Sequence, residues 1–406
     1  MIPPVGDLAA QVRRADRRHE WLVLGLAAPA TAFLLVFFAL PLCLFLFRSV
    51  DNPEVHDTLP RTLVALEGWD RGALPGEAAF AALLSDLKAA QGKPELNTLA
   101  RRLNYHVAGF RSIITRTARL ADTATSPYRE FLIAREAAWG DVAYWGTIKN
   151  ESARLTDFYL LSALDLRRTA DGNIARTDPQ NALFLDLFAR TFWISLTVTF
   201  FCLVIGFPVA AVIAHVRPAT ANLLLVLVLL PFWSSLLVRA TAWIILLQDG
   251  GLVNQALMAL GFVTRPVKLI FNRIGLIISM THVLLPFMIL PLYSVLKGVP
   301  RDHMRAAASL GAPPAVAFLR VYLPQALPGV IAGSTLVFVI SLGYYVAPAL
   351  VGGPSDQMIG YFVAYFTSST ANWGMASALG SILLLIVALL YLSLARIVGF
   401  DRLRVR

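Results

Sequence analysis

Residues able to carry out covalent chemistry are scarce in this 406-residue chain and form no recognised reactive motif. None of its five lysines is followed by serine or threonine, so the phosphate-binding Walker A spacing is absent. The chain also lacks HExxH, CxxC and the G-x-S-x-G nucleophile turn, and its two cysteines, Cys43 and Cys202, lie inside apolar runs. We therefore expect no catalytic residue, no metal site, no cofactor and no ATP hydrolysis in this chain.

Charged and aromatic side chains within or beside long apolar runs are a better guide, because charge in a bilayer is costly and often functional. Arg239 lies inside one such run, where it either lines a path or supports the helices. A cationic solute needs acids or aromatic faces, which hold ammonium groups at about 0.5–2 kcal/mol per contact. The alternative for the aromatic residues is an interfacial belt or helix packing. The predicted substrate path comprises Trp233, Arg239, Asp249, Tyr344, Tyr345, Asp356 and Trp373.

The apolar runs that would position these residues predict an all-α polytopic membrane protein. The chain is 57% hydrophobic and 15% charged, against about 25% charged in soluble domains. We attribute the net charge of +10 to arginines retained on the cytoplasmic side and expect lipid, not nucleic acid, as its counterpart. Six runs reach the roughly 20 residues that a membrane helix needs. They lie at 21–47, 188–214, 221–247, 274–296, 325–350 and 377–398.

Arginine-rich segments place both termini in the cytoplasm of a bacterial inner-membrane protein. The predicted organisation is a cytoplasmic N-terminus at 1–20, helix 1 at 21–47, a helical periplasmic insertion at 48–182, a transmembrane core at 183–400 and a cytoplasmic tail at 401–406. The insertion shows helical periodicity, as in Phe80, Leu83, Leu84 and Leu87. Three roles stay open for it: docking a solute-binding protein, contacting a partner subunit, or a purely structural addition.

The segment Arg301–Gly329, called the elbow below, is polar and basic and lies between two apolar runs. Asp302 is a candidate N-cap for a first helix, and Gly311 is a candidate left-handed residue at its end. Pro313 and Pro314 prevent that helix from continuing, but they suit the first turn of a second helix. The segment is therefore predicted to form two short helices at a membrane surface, with small residues at 306–308 where another backbone can approach.

The second elbow helix is predicted to be amphipathic and then to end before the next span. Its apolar positions recur at i, i+3, i+4 and i+7: Ala315, Phe318, Leu319 and Tyr322. Pro324 and Pro328 are expected to break the chain. An interfacial helix lying on lipid is the alternative interpretation, although lipid binding does not need this glycine and proline punctuation.

The elbow resembles the cytoplasmic coupling loop of bacterial ABC-importer permeases, whose pattern is E-A-A, three residues, G, followed by L-P and P-G. The matching residues are Ala306, Ala307, Leu310, Gly311, Ala312, Leu323, Pro324, Pro328 and Gly329. Arg305 stands where the family usually has Glu, which reverses a charge. The resemblance implies a coupling loop at 297–324. It also implies that contact with the ATPase is made by Arg305, Ala306, Ala307, Gly311, Ala312 and Phe318.

Three further strings are similar to permeases of the spermidine/putrescine class: PFWSSLLVRATAW (231–243), LLPFMILPLYSVL (284–296) and YYVAPALVGG (344–353). The resemblance covers about residues 185–400 and implies a type I importer core of six helices. It also implies two cytoplasmic ATPase subunits that hold ATP and Mg²⁺, a second permease subunit of different sequence, and a periplasmic solute-binding protein. Opines, aminophosphonates and iron stay open as substrates. A stand-alone secondary transporter is disfavoured, because neither internal repeats nor buried ion-coupling acids are evident.

Overall fold

The computed structural model describes residues 25–169 and 172–398. The predicted N-terminus at 1–20, the tail at 401–406 and their arginines lie outside these residues. Six helical segments of the described chain are long and apolar enough to cross a membrane, in agreement with the predicted number; one of them, Leu236–Ala259, consists of two short helices. The structure is helical apart from one short two-stranded sheet, β1 (Leu166–Arg168) and β2 (Ile174–Arg176).

The described chain forms two compact units. The first includes the chain up to Leu161, with Arg168–Ala175 and Trp373–Ile382, and the second contains the rest. Helices before the sheet are α1 (Gly25–Phe47), α2 (Pro53–His56), α3 (Pro60–Ala65), α4 (Glu77–Ala90), α5 (Pro94–Asn104), α6 (Phe110–Leu120), α7 (Tyr128–Arg135), α8 (Val142–Asn150) and α9 (Phe158–Ala163). Helices after it are α10 (Phe184–His215), α11 (Pro218–Leu229), α12 (Leu236–Leu247), α13 (Leu252–Ala259), α14 (Arg273–Lys297), α15 (Arg301–Ser309), α16 (Pro314–Leu342), α17 (Val346–Leu350), α18 (Ile359–Ser368) and α19 (Trp373–Val398).

Large aromatic side chains form the centre of the first unit. Trp139 and Trp145 are fully buried, with ring centroids 5.1 Å apart, and Phe80 lies 4.6 Å from the Trp145 ring. Both indoles are satisfied: Trp139 donates to the Thr117 hydroxyl at 2.8 Å, and Trp145 donates to the Trp139 carbonyl. The leucines of α4 predicted from the helical spacing are buried around these rings. The insertion therefore has its own hydrophobic core.

The second unit is organised around α10, α14 and α16, which pack against one another over most of their length. Glycines allow this close approach. A Cβ atom at Gly333 of α16 would lie 2.8 Å from the Met288 sulfur and 3.1 Å from the Met288 carbonyl oxygen of α14. Small residues at such contacts are typical of membrane helices, where packing replaces the hydrophobic effect.

Two predicted spans are interrupted. The predicted run 221–247 breaks into α11 and α12, because Pro231 lies in a tight turn and Ser235 caps α12 by accepting from the Val238 amide. The predicted fifth span at 325–350 was also wrong at its end, since α16 stops at Leu342 and α17 starts only at Val346.

The elbow differs from its predicted form in two respects. Pro300, not Asp302, precedes α15, and the Asp302 side chain makes no cap bond. The second elbow helix runs without a break into the membrane span as α16, through both Pro324 and Pro328. A wider π-helical turn at Phe318–Tyr322 makes this possible, because the Leu323 amide donates to the Phe318 carbonyl five residues earlier. The helix thereby tolerates the hydrogen bond that Pro324, which has no amide hydrogen, cannot donate. Gly311 has φ +81°, the left-handed conformation that glycine favours.

Candidate functional site

Polar contacts from the first turn of α15 tie the elbow to α10 and join its two helices. Arg301 donates to the His215 carbonyl at the end of α10 (2.7 Å), and His303 hydrogen-bonds the Gln325 side chain (2.8 Å). The Ala312 amide bonds the Ala307 carbonyl and closes the turn between α15 and α16. The elbow is thus held by the same helices that form the core of the second unit.

The outward surface of the elbow carries exposed apolar side chains beside its exposed charged residues. Leu310 is 89% exposed at the tip, next to exposed Gly311, and Leu319 and Phe318 are exposed on α16. Arg305 is also exposed, and its nearest acid is Asp302 at 3.4 Å, so the departure from the usual Glu leaves a charge facing outward. A surface with such protruding apolar side chains has the form of a docking element.

Two elbow residues are oriented differently from the prediction. Ala306 and Ala308 are exposed, but Ala307 is buried against the chain itself, and Ala312 is half-buried. In the predicted apolar stripe, Tyr322 is buried, whereas Ala315, Phe318 and Leu319 are exposed. The buried positions of this stretch are Ala317, Tyr322, Ala326 and Gly329, since the wider turn at 318–322 shifts the helical register.

Arg239 forms the polar centre of the predicted path. Its guanidinium lies 5.7 Å from the centre of the Phe232 ring, and its Nε is enclosed without a hydrogen-bond partner among the residues that the structure describes. It lies close enough to Tyr344 and His282 to act on both electrostatically. The Tyr344 hydroxyl is likewise enclosed and has no hydrogen-bond partner. Arg239 and Tyr344 are therefore the two predicted path residues that the structure brings together.

The other predicted path residues are dispersed. Asp356 is buried and its carboxylate pairs with Arg273 Nε at 2.9 Å, so its charge is already compensated. Asp249 is exposed after α12, and Tyr345 is 48% exposed. Trp233 is 82% exposed in the second unit, and Trp373 is 51% exposed at the start of α19 in the first unit.

A cavity of about 520 Å³ within the spans, called the span cavity, was not anticipated from sequence. Its lining residues are Phe201, Ile205, Trp243, Ile274, Ile277, Ile278, Thr281, His282 and Leu285. Trp243 donates to His282 Nδ1 (3.3 Å), and the buried Thr281 hydroxyl has no partner among the described residues. Thr281 and His282 are polar residues within an apolar run, and they were the sequence signal that could have indicated this cavity. The sequence alone does not show that α10, α12 and α14 line one cavity.

Buried charge is concentrated in the first unit. Arg102 and Glu151, whose side chains are 1% and 4% exposed, pair at 2.5 Å, and His106 Nε2 lies 3.0 Å from the second Glu151 oxygen. The Arg102 guanidinium also covers the Phe158 ring at 3.8 Å. Burial lowers the pKa of His106 more than Glu151 raises it. Burial opposes ionisation of Glu151, but Arg102 and the hydrogen bonds from His106 and Thr156 hold its pKa below the ordinary value.

Residues 184–402 match the family described as binding-protein-dependent transport system inner membrane component, and the chain belongs to this family. It is accordingly a multi-pass inner-membrane permease subunit of a binding-protein-dependent ABC importer and is not itself catalytic. The match begins at α10, so it does not cover the insertion.

Named relatives refine this placement. The chain is 36% identical over 212 residues to the spermidine/putrescine transport system permease protein PotB of Haemophilus influenzae, covering 51% of this chain and 74% of the relative. It is 30% identical over 281 residues to the inner membrane ABC transporter permease protein YdcU of Escherichia coli, covering 65% and 88% respectively. Among solved structures, a bacterial ABC transporter that imports alginate aligns with a TM-score of 0.40 at 21% identity, over 53% of this chain and 83% of that one.

Proposed function

We propose that this chain forms half of the membrane path of an importer for polyamines or related small cationic amines. Its proposed partners are two cytoplasmic ATPase subunits that hold ATP and Mg²⁺, a second permease chain of different sequence, and a periplasmic solute-binding protein. The observation that carries the substrate class is the 36% identity to a spermidine/putrescine permease across 74% of that relative.

The elbow is the proposed contact with an ATPase. Closure of the ATPases on ATP would push the exposed turn around Leu310 and Gly311, and α16 would transmit the displacement because it runs unbroken from the elbow to the far end of a span. Ala306, Ala312 and Phe318 would flank this contact. Buried Ala307 would fix the turn from inside, and exposed Arg305 would meet an acidic partner group. Transport then proceeds by alternating access.

The proposed path holds an amine weakly, on rings instead of acids. Trp233 and Tyr345 offer exposed ring faces for an amine, whereas the Phe232 ring already faces Arg239 and the one buried acid of the predicted set, Asp356, is already paired. Ring faces bind ammonium groups at about 0.5–2 kcal/mol each, which suits passage better than retention. A second candidate is a solute with an anionic group, such as an opine or an aminophosphonate, because Arg239 has a guanidinium nitrogen without a partner. Iron remains a further alternative.

The test is the ATPase activity of the complete importer in nanodiscs, prepared by co-expression with the neighbouring genes. Spermidine, putrescine, an opine and an aminophosphonate are added separately with the cognate binding protein. We expect stimulation by spermidine or putrescine. Stimulation by the aminophosphonate alone would replace the amine with the anionic candidate, and the absence of any co-purifying ATPase would contradict the role of the elbow.

A further inference from the structure

A second cavity lies in the first unit, outside the region that the family match covers. It has a volume of about 470 Å³, within the usual range for small-molecule sites, and is called the insertion cavity below. The elements that form it are α2, α3, α4 and α5, together with the loops that join them. Its lining residues are Pro53, Glu54, Asp57, Thr58, Pro60, Arg61, Asp86, Ala89, Ala90, Lys93, Glu95 and Thr98.

The lining is acidic, with four carboxylates against two basic groups and a net charge of −2. Asp86 is the deepest of these acids, at 4% exposure. One of its oxygens accepts from both the amide and the hydroxyl of Thr62 at 2.8 Å, and the other makes no hydrogen bond among the described residues. Glu54 Oε2 is enclosed and also has no hydrogen-bond partner.

Asp86 forms no ion pair in the described part of the chain, although Arg61 and Lys93 both line the cavity. The cavity's own guanidinium, on Arg61, donates to Ser85 instead. The neighbouring ammonium group of Lys88 pairs with Asp122 at 3.1 Å. Buried charges in proteins are ordinarily paired, because removing a carboxylate from water without a counter-charge is costly. Asp86 and Glu54 can therefore each accept a charged hydrogen bond from a cation that enters the cavity.

The shape and lining of the cavity favour an organic cation. Within residues 25–169 and 172–398, no three His, Cys, Asp or Glu side chains are close enough to hold a metal ion. Pro53, Pro60, Ala89 and Ala90 offer apolar surface beside the acids, which matches methylene groups next to ammonium groups. We propose that the insertion cavity binds an aliphatic amine with one or two ammonium groups, held by Asp86 and Glu54. That this amine is also the transported solute rests on the proposed function.

Direct binding to the purified full-length permease in nanodiscs, without ATPase or binding protein, tests the site. Isothermal titration would use putrescine, spermidine and, as a metal probe, Mg²⁺. We expect one amine per permease, bound at least about tenfold more weakly by Glu54→Gln and by Asp86→Asn, because each loses a charged hydrogen bond. Asparagine can still accept from Thr62, and Glu54→Gln disturbs no bond in the fold, so folding failure does not explain a joint loss.

The matched control is Glu130→Gln, which removes an exposed acid from α7 outside the cavity and should leave the affinity unchanged. Absence of amine binding, equal binding by all three variants, or displacement of the amine by equimolar Mg²⁺ would each overturn the assignment. The two proposals fail separately. Amine binding here without stimulation of the complete importer would contradict the proposed function alone, whereas stimulation without binding here would contradict the cavity alone.

Discussion

The buried pair Arg102–Glu151 offers the sharpest test of the energetics of the first unit. Replacing Glu151 with Gln keeps the side-chain volume but leaves a guanidinium that is 1% exposed without its counter-charge. Breaking one partner of a buried pair costs about 3–5 kcal/mol. For a unit of this size, each kcal/mol lowers the melting temperature by about 2–4 °C. We therefore expect Glu151→Gln to lower the melting temperature of the unit by about 10 °C.

The position of the pair gives this loss a local signature. The Asn52 side chain donates to the Glu151 carbonyl at 2.8 Å, and the Thr156 amide bonds the Val50 carbonyl at 2.7 Å. The cluster thereby joins the beginning of the insertion to a segment about a hundred residues later. Thermal melts of the full chain in nanodiscs, followed by tryptophan fluorescence and limited proteolysis, would show the insertion opening first, because Trp139 and Trp145 lie in its core.

Two comparisons separate loss of the pair from general damage. The double variant Arg102→Met/Glu151→Gln removes both charges and should recover much of the lost stability, since an apolar replacement of a buried pair is often neutral. Glu136→Gln breaks a pair whose arginine, Arg116, is 53% exposed, and should change the melting temperature little. An unchanged melting temperature in Glu151→Gln, or a double variant as unstable as the single, would refute the reasoning.

Three further predictions concern pH, packing and coupling. The pKa values of His106 and Glu151 are both lowered in the fold, so the unfolded chain binds more protons than the folded chain. Stability should therefore decrease as the pH is lowered, first below the ordinary His value of 6.5 and then below 4.5. Thermal melts from pH 7.5 to 4 would check this. Gly333→Val should cost about 1–3 kcal/mol, because its side chain would collide with Met288 of α14; an unchanged melting temperature of the spans would contradict this packing. Leu310→Asp should abolish substrate-stimulated ATPase activity while the chain remains folded in the membrane, and normal stimulation would remove the elbow tip from the coupling contact.

Hydropathy predicted the number of spans because a membrane helix needs only length and apolar composition. Their interruptions depend on local chemistry that hydropathy averages away, such as the Ser235 cap before α12. At Pro324 the sequence predicted a break, but the helix continues. The wider turn before Pro324 satisfies the backbone hydrogen bonds, and residue propensity does not reveal such a turn.

The candidate sites were less predictable than the spans, because each is assembled from distant segments. Arg239 was identifiable as a charge within an apolar run, but its proximity to Tyr344 depends on how α12 packs near the end of α16. Asp356 was predicted to meet substrate, yet Arg273, 83 residues earlier, already pairs with it. The insertion cavity combines Glu54 with Asp86, and neither residue belongs to a sequence motif.

The wider turn at Phe318–Tyr322 also has a functional consequence. Such a turn accommodates one additional residue in an otherwise regular helix, and one residue corresponds to about 100° of rotation. The side chains before the turn, which are proposed to contact the ATPase, and those after it, which pack in the bundle, therefore follow separate registers along α16. Under the proposed function, a substitution before the turn would alter the contact with the ATPase without changing which side chains of α16 face the bundle. Deleting a single residue here would make the two registers continuous, so the orientation of the elbow side chains would again be fixed by the packing of α16 in the bundle.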